Sequence, residues 1–116
     1  MAPSQRLERM SDLLQEELSK IMDRELEFPD GALVTITRVE ISPDKHYAAV
    51  FLSILGTEKK NILEILEKKV YNIQQLLNRR VRMRPVPRVQ FAIDEGEEKR
   101  EIIERSLAEL KNNKEI

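Results

Sequence analysis

The 116-residue sequence predicts an α+β domain, a three-stranded sheet packed on helices, with elements in the order α-β-β-α-α-β plus a C-terminal helix. Three observations predict it. Apolar residues recur at helical spacing before and after a pair of β-rich runs. A turn signal joins those runs as a hairpin. A proline-bounded alternating run then returns after a long helical stretch. A helical crossover of that length lets the third strand lie parallel to a hairpin strand, with a right-handed connection.

The first helix spans about 4–26. Leu7, Met10, Leu14, Leu18, Ile21 and Met22 recur at intervals of three and four, and Ser4 is placed to cap the start. Phe28-Pro29-Asp30-Gly31 ends it, since proline cannot continue a helix and Asp-Gly favours a turn. The first strand, about 32–41, alternates through Val34 and Ile36 and then resumes at Val39 and Ile41. That change of phase predicts a bulge or twist near Thr37-Arg38. Ser42-Pro43-Asp44-Lys45 makes the turn, and Tyr47–Leu55 has the composition and length of the second strand.

Gly56 breaks that strand and Thr57 offers an N-cap. Ile62, Leu66, Val70, Ile73, Leu77 and Val81 then keep a helical period, as one long helix or as two with a kink. Pro85 and Pro87 force an extended segment. Val89, Phe91 and Ile93 alternate with Arg88, Gln90 and Ala92 as the third strand. After Gly96 a last amphipathic helix, about 97–112, aligns Ile102, Ile103, Leu107 and Leu110. Residues 1–94 are thus expected to form the domain, with 95–116 as its C-terminal helix and tail.

With 41% hydrophobic residues the chain has apolar mass for one core, and three glycines, five prolines and no low-complexity run argue against disorder. No cysteine is present, which removes disulfides and thiolate metal sites and fits a reducing compartment. No basic segment followed by a long apolar run appears, so neither a signal peptide nor a membrane span is expected, and a cytoplasmic location follows.

The net charge of −1 hides a partition. Residues 1–30 carry −4, 31–67 carry −1, 68–93 carry +7 with no acidic side chain, and 94–116 carry −3. The basic residues are Lys68, Lys69, Arg79, Arg80, Arg82, Arg84 and Arg88. A patch built mostly of arginine suits planar, bidentate contact with phosphate. Arg82, Arg84 and Arg88 alternate with Val81, Met83 and Val89, so an extended backbone there aims several guanidinium groups to one side. Against this stands the blander reading of a solvated basic edge that keeps an exposed strand unpaired. Phe51 and Phe91 read as core, and Tyr47 and Tyr71 as half-buried packing, so recognition by phosphate and shape is favoured over base stacking.

Catalytic constellations are missing. His46 has no second histidine or cysteine beside it for a metal and no adjacent nucleophile. Glu40 and Asp44 flank the same turn without forming an acid–base pair. Asp94-Glu95-Gly96-Glu97-Glu98 reads as the solvated, acidic start of a helix, and no phosphate-cradling glycine loop occurs. A non-enzyme without cofactor or metal is expected.

The stretch Asn72-Ile73-Gln74-Gln75-Leu76-Leu77-Asn78-Arg79-Arg80-Val81-Arg82-Met83-Arg84-Pro85-Val86-Pro87-Arg88-Val89-Gln90-Phe91 resembles the ribosome-binding factor A family. The helix from Arg6 to Phe28-Pro29-Asp30 and the hairpin Val39–Val50 extend the likeness over most of 5–93. The resemblance implies a type II KH-like fold, RNA binding, and attachment to the 30S subunit through 16S ribosomal RNA. It also implies late maturation and processing of that RNA, and a role in cold adaptation. The Gly-x-x-Gly loop of RNA-gripping KH domains is absent. The family's Ala-x-Gly junction matches Lys69-Val70-Tyr71, with neither Ala nor Gly, so a straighter helix stands open beside a kinked pair. Contact with small-subunit ribosomal proteins is a further expectation, and a monomer with no membrane partner is expected. The rival reading is a protein-interaction or homodimerisation module using an exposed sheet edge.

Overall fold

Proline suits the first position of a helix, where its missing N–H would have no partner, and α1 (Pro3–Glu25) begins on one. Ser4 therefore falls inside the first turn rather than ahead of it. The computed structural model describes residues 3–95. Leu14, Leu18, Ile21 and Met22 form the buried stripe of α1, and the Leu26 N–H closes the helix on the Met22 carbonyl at 3.1 Å.

β1 (Leu33–Ile41) and β2 (Tyr47–Leu55) pair antiparallel. Their register slips between Ile36 and Arg38, so Thr37 is the bulge that the change of apolar phase predicts. The turn between them is held from within. The Ser42 hydroxyl donates to Asp44 Oδ1 at 2.6 Å and accepts the Tyr47 N–H at 3.0 Å. Lys45 adopts a left-handed φ of 65°. At the open end of the hairpin Gly56 has φ +85°, and a Cβ there would stand 2.1 Å from the Gly31 carbonyl oxygen, so this close approach requires glycine.

α2 (Lys59–Arg80) is one unbroken helix. The predicted α-β-β-α-α-β order therefore condenses to α-β-β-α-β over the described residues. Lys69-Val70-Tyr71 lies inside that helix, with no glycine to release its backbone. Glu58, not Thr57, takes the N-cap position, and no side chain caps the helix there. The Thr57 hydroxyl instead accepts from Asn61 Nδ2 at 3.4 Å.

β3 (Arg88–Ile93) joins β2 in parallel, giving the sheet order β1-β2-β3 with β2 central. Strand alternation divides the sheet into two faces. Ile36, Val39, Ala48, Val50, Leu52, Ile54 and Val89 pack against both helices, where Ile62, Leu66, Ile73 and Leu77 supply the α2 stripe. On the face away from the helices, Phe51 is fully buried beneath Arg38, whose guanidinium carbon lies 3.9 Å from the ring centre. Arg38 pairs with Glu40 and lies 3.8 Å from Asp94. The Thr37 hydroxyl donates to Asp94 at 2.6 Å, and Lys59 reaches Glu95 at 3.1 Å. Asp94 and Glu95 thus contact the sheet and α2; the rest of the acidic run, from Gly96 on, lies outside the described residues. The expected helix at 97–112 lies outside the described residues.

Candidate nucleic-acid interface

The last turn of α2 carries Arg79 and Arg80, a favourable place for positive charge because the helix dipole presents its negative end there. Val81 then turns extended (φ −104°, ψ 148°), is buried, and donates its N–H to the Leu77 carbonyl at 3.1 Å. A seven-residue segment, 81–87, connects it to β3. Val81 and Pro87 are buried at its two ends, and Met83 and Val86 pack half-buried against the core. With alternate apolar residues turned inward, Arg82 and Arg84 are left exposed, as is Arg88 at the head of β3.

Four of the arginines therefore gather within six residues at the carboxyl end of α2, and Arg88 follows where the chain enters the sheet. The lysines do not join them. Lys68 and Lys69 are exposed, but each lies eleven residues before an arginine, which on a helix is about three turns and roughly 16 Å along the axis. That spacing aligns Lys68 with Arg79 on the solvent face and Lys69 with Arg80 on the flank beside α1.

Two of the five arginines have partners. Arg80 Nη1 lies 3.4 Å from Glu17 of α1, a contact between residues 63 positions apart. Arg84 Nη1 folds back to the carbonyls of Val81 at 3.0 Å and Met83 at 2.7 Å. Carbonyls are neutral, so Arg84 orders the loop and keeps its full charge. Lys68, Lys69, Arg79, Arg82 and Arg88 have no ion pair or side-chain hydrogen bond among the described residues. An exposed, carboxylate-poor surface of this kind attracts polyanions and stays competent to contact phosphate.

Beside this surface a groove of about 790 Å³ runs between α2 and the outer edge of β3, lined in part by Val70, Tyr71, Gln74, Asn78, Val86 and Phe91. Tyr71, expected to be half-buried, stands 71% exposed at its lip. Its position lies opposite the Ile62-Leu66-Ile73-Leu77 stripe, so helical geometry turns it outward. Gln74 was not singled out by sequence reasoning. Its amide oxygen accepts the Val89 N–H at 3.0 Å, while its nitrogen donates to the Pro87 carbonyl and to Asn78 Oδ1, both at 3.1 Å. Only the Gln74–Asn78 spacing of four was legible beforehand, as an ordinary side-chain pair on a helix. At the other sheet edge Gln15 donates to the Ile36 carbonyl at 3.2 Å.

His46 is exposed in the hairpin turn, and its backbone carbonyl accepts the Arg88 N–H at 2.8 Å. Among the described residues no group of three or more His, Asp or Glu is placed to hold a metal, and no helix is long and apolar enough to cross a membrane.

Comparison with known proteins gives a consistent result. Residues 6–107 match the family model described as Ribosome-binding factor A. A ribosome-binding factor A from Acinetobacter baumannii is 40% identical over 104 residues, covering 81% of this chain and 78% of that relative. One from Macrococcus caseolyticus is 38% identical over 113 residues, covering 96% and 99%. The crystal structure of ribosome-binding factor A from Thermus thermophilus has a TM-score of 0.68 at 27% identity, with 76% of this chain and 96% of that one covered. A homology model of the Thermus thermophilus factor, fitted into the cryo-EM map of a 30S–RbfA complex, has a TM-score of 0.64 at 28% identity, with 74% and 92% covered.

Proposed function

The chain belongs to the ribosome-binding factor A family, and from that premise we propose that it binds the 30S ribosomal subunit through the arginine surface at the end of α2. The supporting observation is the cluster itself: Arg79, Arg82 and Arg88 are exposed without a carboxylate partner among the described residues, and Arg84 orders the loop between them through neutral carbonyls. The ligand is 16S ribosomal RNA, met through its phosphates. Lys68 and Lys69 act as outlying contacts further up α2. Arg80, held to Glu17, contributes the least of the seven.

In this reading the protein is an assembly factor without catalytic activity. It works as a cytoplasmic monomer that holds a local RNA conformation during late maturation and processing of the RNA, including in cold adaptation. The maturation and cold-adaptation roles rest on the family relationship, while the contact residues rest on charge and exposure. The acidic surface of α1 is available to basic small-subunit proteins. The rival reading, a module that pairs through a sheet edge, is disfavoured by the two glutamines. Gln74 occupies the β3 edge at Pro87 and Val89, and Gln15 holds the Ile36 carbonyl of β1.

Charge reversal of Arg82 and Arg84 to Glu tests the reading. The variant should keep its circular dichroism spectrum and lose co-sedimentation with 30S subunits. A folded variant that still co-sediments at wild-type level removes the arginine surface from the account.

A further inference from the structure

We propose that Gln74 is the positioning residue of the arginine surface, acting on Arg88 and on the loop exit without touching RNA itself. The inference deepens the phosphate-binding reading above and depends on it.

β3 is an edge strand whose N–H groups alternate in direction. Those of Arg88 and Asp94 point to β2, where they meet the carbonyls of His46 and Leu52, each at 2.8 Å. The Val89 N–H and the Pro87 carbonyl therefore face the open side, where no strand follows among the described residues. Gln74 meets both with one planar amide: its oxygen takes the Val89 N–H at 3.0 Å, and its nitrogen gives one hydrogen to Pro87 at 3.1 Å. An amide that accepts from one residue and donates to the carbonyl two before it supplies the C=O and N–H that one residue of an added parallel strand would offer. The second hydrogen goes to Asn78 Oδ1 at 3.1 Å. With the nitrogen donating twice and the oxygen accepting once, only one orientation of the amide satisfies all three bonds.

The two residues so clamped flank Arg88. Arg88 is thereby fixed from both sides of the strand, by His46 through its own N–H and by Gln74 through its neighbours. The same bracket sets where the loop bearing Arg82 and Arg84 rejoins the sheet. A purely structural role, closing an edge against unwanted pairing, explains the bond to Val89 equally well. It does not couple Gln74 to an arginine in binding, and that coupling separates the two.

Gln74→Met keeps the length of the side chain and removes all three hydrogen bonds. Affinity for 30S subunits should be measured for wild type, Gln74→Met, Arg88→Gln and the double variant, at a temperature where all four are folded by circular dichroism. Gln74→Met should weaken binding about threefold to tenfold in the wild-type background, within the lower part of the range expected of coupled neighbours. It should weaken binding much less once Arg88 is already Gln. Gln74→Glu, which keeps the acceptor for Val89 and loses both donors, should fall between wild type and Met. Equal losses in both backgrounds, or wild-type affinity in Gln74→Met, overturn the inference while Arg88→Gln alone still weakens binding. If Arg88→Gln itself has no effect, its part in phosphate contact fails and the positioning role falls with it.

Discussion

Arg38 and Arg82 are the same residue type on one small scaffold and meet opposite ends. Arg38 lies across the Phe51 ring at 3.9 Å, with Glu40 and Asp94 as its carboxylate partners. Its charge is used internally, and it serves as the roof over an aromatic side chain on the sheet face opposite α1 and α2. Arg82 stands exposed on a loop whose apolar neighbours turn inward, with no partner among the described residues. Availability of an arginine is therefore decided by which carboxylates the fold places in register with it. Residues 68–93 have none of their own, and among the described residues α1 brings Glu17 to bear on them, at Arg80.

The contrast can be tested from both sides. The largest effect is expected on the loop side: converting Arg79, Arg82 and Arg88 together to Gln should weaken binding to 30S subunits on the order of a hundredfold at moderate salt. Equilibrium urea unfolding should move little, because the three side chains have no ion-pair or hydrogen-bond partner among the described residues. The reverse pattern belongs to Arg38→Ala, which should lower unfolding stability by about 1–2 kcal/mol and leave the affinity of the folded protein unchanged. A loss of binding there without loss of stability would erase the distinction between the two arginines. Glu17→Gln tests the intermediate case. Releasing Arg80 should cost less than about 1 kcal/mol of stability and raise 30S affinity slightly, as read in a competition assay at low salt. Smallest of all, Tyr71→Ala should shift unfolding by no more than about 0.5 kcal/mol, since its ring is mostly solvated.

Much of the scaffold was legible because it obeys short-range rules. The step in apolar phase between Ile36 and Val39 marks the bulge at Thr37, and Ser42-Pro43-Asp44-Lys45 reads directly as the hairpin turn. The absence of Ala and Gly from Lys69-Val70-Tyr71 leaves α2 no cause to kink. The site was legible as a block of charge, yet not in its internal order. Nothing local to Arg80 points to Glu17, which is 63 positions away. Nor does anything in the neighbourhood of Gln74 announce a clasp on a strand that begins at Arg88. Asp94 and Glu95 were legible as acidic residues, but not in what they contact. Their partners, Thr37, Arg38 and Lys59, are distant from them in the chain. Hydrogen bonds and ion pairs of that range depend on the assembled fold, and sequence spacing carries no record of them.

The salt dependence of 30S binding tests the central claim most directly. Log affinity plotted against log salt concentration should be steeply negative for the wild-type protein. Its slope should become shallower by about 0.7–0.9 with each of Arg79, Arg82 and Arg88 replaced by Gln, as expected for one released counterion per phosphate contact. A shallow wild-type slope, unchanged by those replacements, would contradict the claim.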